Sequence, residues 1–313
     1  MPITGGADFR SGQGNARYQF ISQFVIKARP AVEDGFWCRV GFLFLSHNKS
    51  IVTDEMTRLW HIVTIAYSRI MYKRVLLKLS GEQLQGKYNG GFDAERATWI
   101  ADEVKKAKAG GAQIVIMIGG GNYARGAQLA GGGVQRVTAD NIGMLATMMN
   151  ALALADVFNA NGLLARAVTN IKADQVADQF THRRAVSHLE KDRVVIIAGG
   201  IGRPYLTTDT AAVSLALELD CDVIFKATKV DGVYDSDPAT NPAAKKFDTL
   251  TLRQAVEQPD IKVMDQAAIA LAEDHSQSIV VFELLQEGNI AAVISGEPIG
   301  TRISAETDSR GEA

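Results

Sequence analysis

From Arg74 onward, short and mostly apolar runs alternate with longer stretches of helical period, and the turns between them are rich in glycine. Arg74–Leu79 (RVLLKL), Gln113–Ile118 (QIVIMI), Leu163–Val168, Val194–Ala198 (VVIIA), Asp222–Lys226 (DVIFK) and Ile279–Phe282 read as strands. Strands apolar on both faces belong to a sheet covered on both faces. Their alternation with helices predicts an α/β protein, a three-layer αβα sandwich with a mainly parallel central sheet. Asp93 caps a helix whose apolar positions Ala97, Ile100, Ala101, Val104 and Ala107 keep the 3.6-residue period, and Gly110-Gly111 stops it. Further helices are expected from about Ala139 to Asn159, from Thr208 or Asp209 to about Leu219, and over Asp265–Asp274, with Ala291–Ile294 closing the pattern.

Residues 1–70 have a different texture. They hold Trp37 and Trp60 and short apolar bursts, but no sustained period. The expectation is that the functional chain begins at Met71 and that 1–70 is a mis-assigned start; a genuine targeting or docking appendage is the alternative. The catalytic domain is then 71–303, and the polar segment 304–313 (SAETDSRGEA) reads as a disordered tail.

A formal net charge of -2 argues against a protein devoted to coating nucleic acid. No apolar run reaches the roughly 20 residues of a membrane-spanning helix, and Val40–Leu45 is too short for one. Cys38 and Cys221 are isolated, so they form neither a disulfide framework nor a metal-ligand pattern, and a reducing cytoplasm fits them. Cys221 reads as a small core residue. The histidines, among them His182, His188 and His275, lack ligand spacing.

In open α/β sheets, ligands collect at the carboxyl ends of the strands. Four loops there carry small, cationic or hydroxylic residues: Lys78-Leu79-Ser80-Gly81-Glu82; Gly119-Gly120-Gly121-Asn122 with Arg125; Gly199-Gly200-Ile201-Gly202-Arg203-Pro204 leading to Thr207-Thr208-Asp209; and Lys226-Ala227-Thr228-Lys229 running to Tyr234 and Asp237. Glycine lets backbone N–H groups approach phosphate oxygens, and lysine and arginine supply the counter-charge. A single such loop is usually only a turn, but four together point to nucleotide phosphates.

Two familiar patterns fail in context. Gly81 to Lys87 fits most of a P-loop, but Tyr88 replaces the magnesium-holding hydroxyl and no helix follows. Gly119–Ala124 with Asp140 fits a relaxed dinucleotide fingerprint, yet Gly131–Asp140 holds no strand to carry the acid, which leaves a dehydrogenase as a minor alternative. Asp140 and Asp209 each stand at an expected helix start, where capping is the plain role. Asp140 could also accept from a ribose, and Asp209 could orient the lysines or help position magnesium.

KLSGE at 78–82, IGGGN at 118–122 with Arg125, AD at 139–140 before GMLAT at 143–147, TTD at 207–209, KATKVDGVY at 226–234 with Asp237-Pro238, and KVMD at 262–265 together resemble the bacterial UMP kinases of the amino acid kinase superfamily. The resemblance covers essentially all of 71–303. It implies that fold, ATP-dependent phosphorylation of UMP with Mg2+, and a cytoplasmic homohexamer serving pyrimidine nucleotide synthesis. It implies that Lys78, Leu79, Ser80, Gly81, Gly121 and Arg125 contact ATP phosphates, and that Thr228, Tyr234 and Asp237 hold the ATP nucleoside end. It assigns UMP to Gly120, Asp140 and the stretch Ile201, Gly202, Arg203, Pro204, Tyr205, Leu206, Thr207 and Thr208. Catalytic roles fall to Lys78, Asp209 and Lys226, with Lys229 the alternative lysine. GTP activation and UTP inhibition occur in relatives, and the loop matching the GTP-linked region is Gly86, Lys87, Tyr88, Asn89, Gly90 and Gly91. Ile201 departs from the small or hydroxylic residue expected there. The rival readings are another amino acid kinase acting on a carboxylate or carbamate, and a non-catalytic nucleotide-binding or storage protein of the same fold.

Overall fold

This computed structural model describes residues 72–305 apart from 259, 260 and 262. The expectations for 1–70, and for the tail beyond residue 305, lie outside the described residues. Ser304, placed at the start of the tail, is instead the last residue of a strand.

The strands are β1 (Arg74–Leu79), β2 (Gln113–Ile118), β3 (Ala165–Thr169), β4 (Asp178–Gln179), β5 (Val194–Ala198), β6 (Val223–Thr228), β7 (Val233–Tyr234), β8 (Lys246–Phe247), β9 (Thr249–Thr251), β10 (Ile279–Glu283) and β11 (Thr301–Ser304). The helices are α1 (Ala94–Lys108), α2 (Gly126–Gly131), α3 (Arg136–Ala160), α4 (His182–Glu190), α5 (Thr208–Glu218), α6 (Leu252–Glu257), α7 (Gln266–Asp274) and α8 (Asn289–Ile294). A 9-stranded sheet runs in the order β4-β3-β5-β2-β1-β6-β10-β11-β9, and β7 pairs with β8 apart from it. Within the large sheet only the β10–β11 pairing is antiparallel.

Successive residues of the central strands face opposite layers. Val75, Leu77, Leu79, Ile114, Ile116 and Ile118 pack with α1, α3 and α8. Leu76, Val115, Met117, Val195 and Ile224 pack with α4, α5 and α7. Both sheet faces are thereby covered, which gives the three-layer sandwich.

The differences from the expected elements are local. The long helix α3 begins at Arg136 with Gln135 as its N-cap, so Asp140 lies inside the helix and does not cap it. By length and hydropathy α3 would suit a membrane span, but half of its most apolar window is buried inside the fold. Helix α5 is capped by Thr207, whose hydroxyl accepts from the Asp209 and Thr210 N–H groups, so Asp209 is not a cap either. Ala291–Ile294 falls in a helix, after which β11 adds an antiparallel strand that the sequence did not announce.

Candidate active site

After β1 the chain continues to β2 on one side, while β6 returns to the other side of β1. This change of direction opens a crevice at the carboxyl ends of the two strands. Lys78 and Lys226 are Cα partners across β1 and β6. Parallel strands in register send paired side chains to the same face, here the face of Leu76 and Ile224, which α5 covers. Asp209, in the first turn of α5, therefore meets both lysines. Lys78 Nζ lies 2.6 Å from Asp209 Oδ1, and Lys226 Nζ lies 2.8 Å from Asp209 Oδ2. Lys226 Nζ also donates to the Val263 carbonyl.

All three side chains are largely buried. Burial pushes the Asp209 carboxyl upward, but the charges and hydrogen bonds of Lys78 and Lys226 outweigh it and hold the group below its ordinary value. Burial lowers the Lys226 ammonium, Asp209 opposes that without cancelling it, and the Lys78 charge lowers it further. The site is thus a cation pair with one shared counter-ion. It carries a net positive charge into which an anion fits, and Asp209 is committed to holding the lysines. Lys229 stands beyond the end of β6 and approaches Glu82 Oε2 at 3.5 Å. Glu82 also pairs with Arg125.

The glycine loops approach each other closely. A Cβ on Gly81 would lie 2.4 Å from Asn122 Oδ1 and 2.7 Å from the Gly119 carbonyl, so a side chain cannot be accommodated there. A Cβ on Gly120 would lie 2.7 Å from the Gly143 carbonyl and 2.8 Å from Ala146 Cβ, so this glycine admits the packing of α3. Gly121 meets nothing closer than 3.6 Å. The Ser80 N–H is taken by Gln83 Oε1, and Gln83 Nε2 donates to the Ala227 carbonyl, which ties the β1 loop to the β6 loop.

Asp140 sits on α3 facing the stretch 201–206. Both of its oxygens accept from Arg136 Nε at 2.9 Å, and Oδ2 also accepts the Tyr205 N–H at 2.9 Å. Tyr205 has φ 67° and lies under the Arg136 guanidinium. Ile201 packs against the core, which explains how an apolar residue is accommodated there. Arg203, Tyr205, Leu206 and Thr207 are exposed around it, with Gly202, Pro204 and Thr208 half-buried. Thr207 and Thr210 both donate to Asp265, the N-cap of α7, which joins the amino ends of α5 and α7.

The nucleoside-end candidates lie at the end of β6, on β7 and in the turn that follows it. The Thr228 hydroxyl donates to the Val230 carbonyl, Tyr234 donates to Asp231 at 2.6 Å, and Asp237 accepts the Ala239 N–H in an exposed turn. In the Gly86–Gly91 loop, Lys87, Tyr88 and Asn89 are not buried, and Gly91 is clasped by Asn122 through its backbone and its amide. Asn150, Thr147, Gln83 and Asp265 were given no role by the sequence, although GMLAT contains Thr147 and KVMD ends at Asp265.

A cavity of about 360 Å³ lined by Tyr72, Ala107, Ala112 and Ile294 lies at the opposite, amino ends of β1 and β2. It is charge and convergence of loops, not volume, that mark the Lys78–Asp209–Lys226 centre. Fold and centre together define an α/β protein able to draw anionic groups to a buried lysine pair.

The model of the amino acid kinase family matches residues 73–283. Among solved structures, the chain is similar to the UMP kinase of Bacillus anthracis, with 39% identity, a TM-score of 0.72, and coverage of 75% of this chain and 97% of that one. It is also similar to the UMP kinase of Ureaplasma parvum, with 31% identity, a TM-score of 0.70, and coverage of 74% and 99%. The uridylate kinase of Archaeoglobus fulgidus matches at 27% identity and a TM-score of 0.57, with coverage of 73% and 99%. The chain belongs to the amino acid kinase family, and within it to the UMP kinases.

Proposed function

We infer that this chain transfers the γ-phosphoryl group of ATP to UMP, giving UDP and ADP. The observation that carries the reading is the register-matched pair Lys78 and Lys226 on one buried carboxylate, between glycine loops of a UMP kinase fold. Phosphoryl transfer depends mainly on positioning and on neutralising charge spread over the moving oxygens. Lys78 and Lys226 supply that charge, and Asp209 keeps two like charges together until phosphates enter. With both its oxygens engaged by ammoniums, Asp209 is an organiser and not a base.

Lys78–Gly81, Gly121 and Arg125 are proposed to face the ATP phosphates, with Thr228, Tyr234 and Asp237 at the nucleoside end. Gly120, Asp140 and Ile201–Thr208 are proposed to face UMP. Among the described residues no group of three or more His, Cys, Asp or Glu could hold a metal ion. Mg2+ is proposed to enter on the ATP phosphates, a mode this hard cation favours, where it would neutralise charge beside Lys78. The reaction would serve pyrimidine nucleotide biosynthesis in the cytoplasm.

A homohexamer is proposed as the assembly. Its support is an outward stripe on α3, where Val137, Leu145 and Met149 are exposed at helical spacing. GTP is the proposed activator, supported by the clasp between the Gly86–Gly91 loop and Asn122 beside the donor loop. UTP is the proposed inhibitor, as a pyrimidine competitor.

An acceptor panel tests the activity. ADP release from ATP should appear with UMP, weakly or not at all with CMP, and not with aspartate or acetylglutamate. Turnover with an amino acid alone would overturn the reading in favour of another member of the family.

A further inference from the structure

Helix α3 touches both phosphate loops with side chains one turn apart. The Thr147 hydroxyl, 2% exposed, donates to the Met144 carbonyl at 2.6 Å and accepts the Gly199 N–H at 2.7 Å. Asn150, 0% exposed, donates from Nδ2 to the Gly119 carbonyl at 2.8 Å and to Asn122 Oδ1 at 2.7 Å. Asn122 returns a bond from its own Nδ2 to Asn150 Oδ1 at 2.9 Å, and gives its other hydrogen to the Gly91 carbonyl at 2.7 Å. Residues three apart share one helix face, so one rigid turn holds the loop after β5 with Thr147 and the loop after β2 with Asn150.

The orientation of this amide pair is fixed by chemistry. Turning Asn150 over would set its oxygen against the Gly119 carbonyl, and turning Asn122 over would set its oxygen against the Gly91 carbonyl. Every amide hydrogen of the pair is used, as a buried polar network requires. Gly120 lets the helix reach this depth, since any Cβ there would strike the Gly143 carbonyl and the Thr147 N–H region.

We propose that Thr147 and Asn150 are positioning residues that set the distance between the donor and acceptor phosphates. The inference rests on the proposed assignment of Gly121 and Arg125, after β2, to ATP and of the β5 loop to UMP. Neither side chain needs to touch a nucleotide. Each acts through a loop, so their loss should misplace bound substrates relative to each other without preventing their binding.

The test is steady-state kinetics of the full chain with ATP and UMP. In Thr147→Val, which keeps the shape and removes the acceptor, kcat should fall about 10-fold or more while each KM moves by less than about threefold. Thr147→Ser should restore kcat, and Asn150→Asp, which sets a carboxylate against the Gly119 carbonyl, should behave like Thr147→Val. Asn159→Ala is the structural control. Asn159 clamps Ala165 at the other end of α3, so its loss should lower the Tm and leave kcat in place. An unchanged kcat in Thr147→Val, a rise in KM at constant kcat, or a loss that Thr147→Ser does not repair would overturn the proposal. Failure of the functional reading is distinct: the wild-type chain itself would then make no UDP, and the same split would be measured with the acceptor it does use.

Discussion

Lys226 shows how a residue's role depends on where the fold puts it. The sequence puts Lys226 first and leaves Lys229, three positions on in the same segment, as the alternative. Only Lys226 lies on β6 in register with Lys78, and only it reaches Asp209. Its ammonium is lowered by burial and by the Lys78 charge. A lysine with a depressed pKa loses its proton as pH rises through that lowered value, so the alkaline limb of kcat/KM should begin below the usual lysine range. Lys226→Arg keeps its charge to far higher pH and should flatten that limb, at some cost in rate because a guanidinium is wider and planar. A limb unchanged in Lys226→Arg would move the titration to another group. Lys78, Asp209 and the glycines could be found in the sequence because each sits in a compact motif. Asn150 and Thr147 could not, because their partners Asn122 and Gly199 are 28 and 52 residues away and only folding brings them together.

Elements were legible where a single local signal sufficed. The helix from Asp93 and the strands at 74–79, 113–118 and 194–198 follow from caps and apolar runs alone. Helix α3 begins earlier than its apolar period suggests because residues 136–138 of its first turn are exposed, with Arg136 set over the Tyr205 ring, and so bury no apolar face. Strand β11 was missed because four residues with three polar side chains carry no period of their own and pair only through β10 and β9. The contact between the β2 loop and α3 makes an element-scale prediction. Gly120→Ala forces a Cβ into helix backbone and should cost about 1–3 kcal/mol in stability, read as a lowered denaturation midpoint, together with a loss of turnover. A variant with wild-type Tm would mean that the loop and helix separate easily.

For the molecule as a whole, the parallel sheet, the crevice beside β1 and the family membership converge on one chemistry. The exposed α3 stripe belongs to this scale: the native mass should be that of six chains, and Leu145→Glu should shift it toward smaller species in light scattering. A wild-type monomer would remove the hexamer from the proposal while leaving the catalytic centre intact. Transfer itself is followed by incubating the full chain with UMP and ATP labelled in the γ-phosphoryl group. The label should appear in UDP, and Lys78→Ala should reduce its rate of appearance by about two orders of magnitude or more. Label that appears only in inorganic phosphate, or that reaches UDP equally fast with Lys78→Ala, would contradict phosphoryl transfer to UMP at this lysine pair.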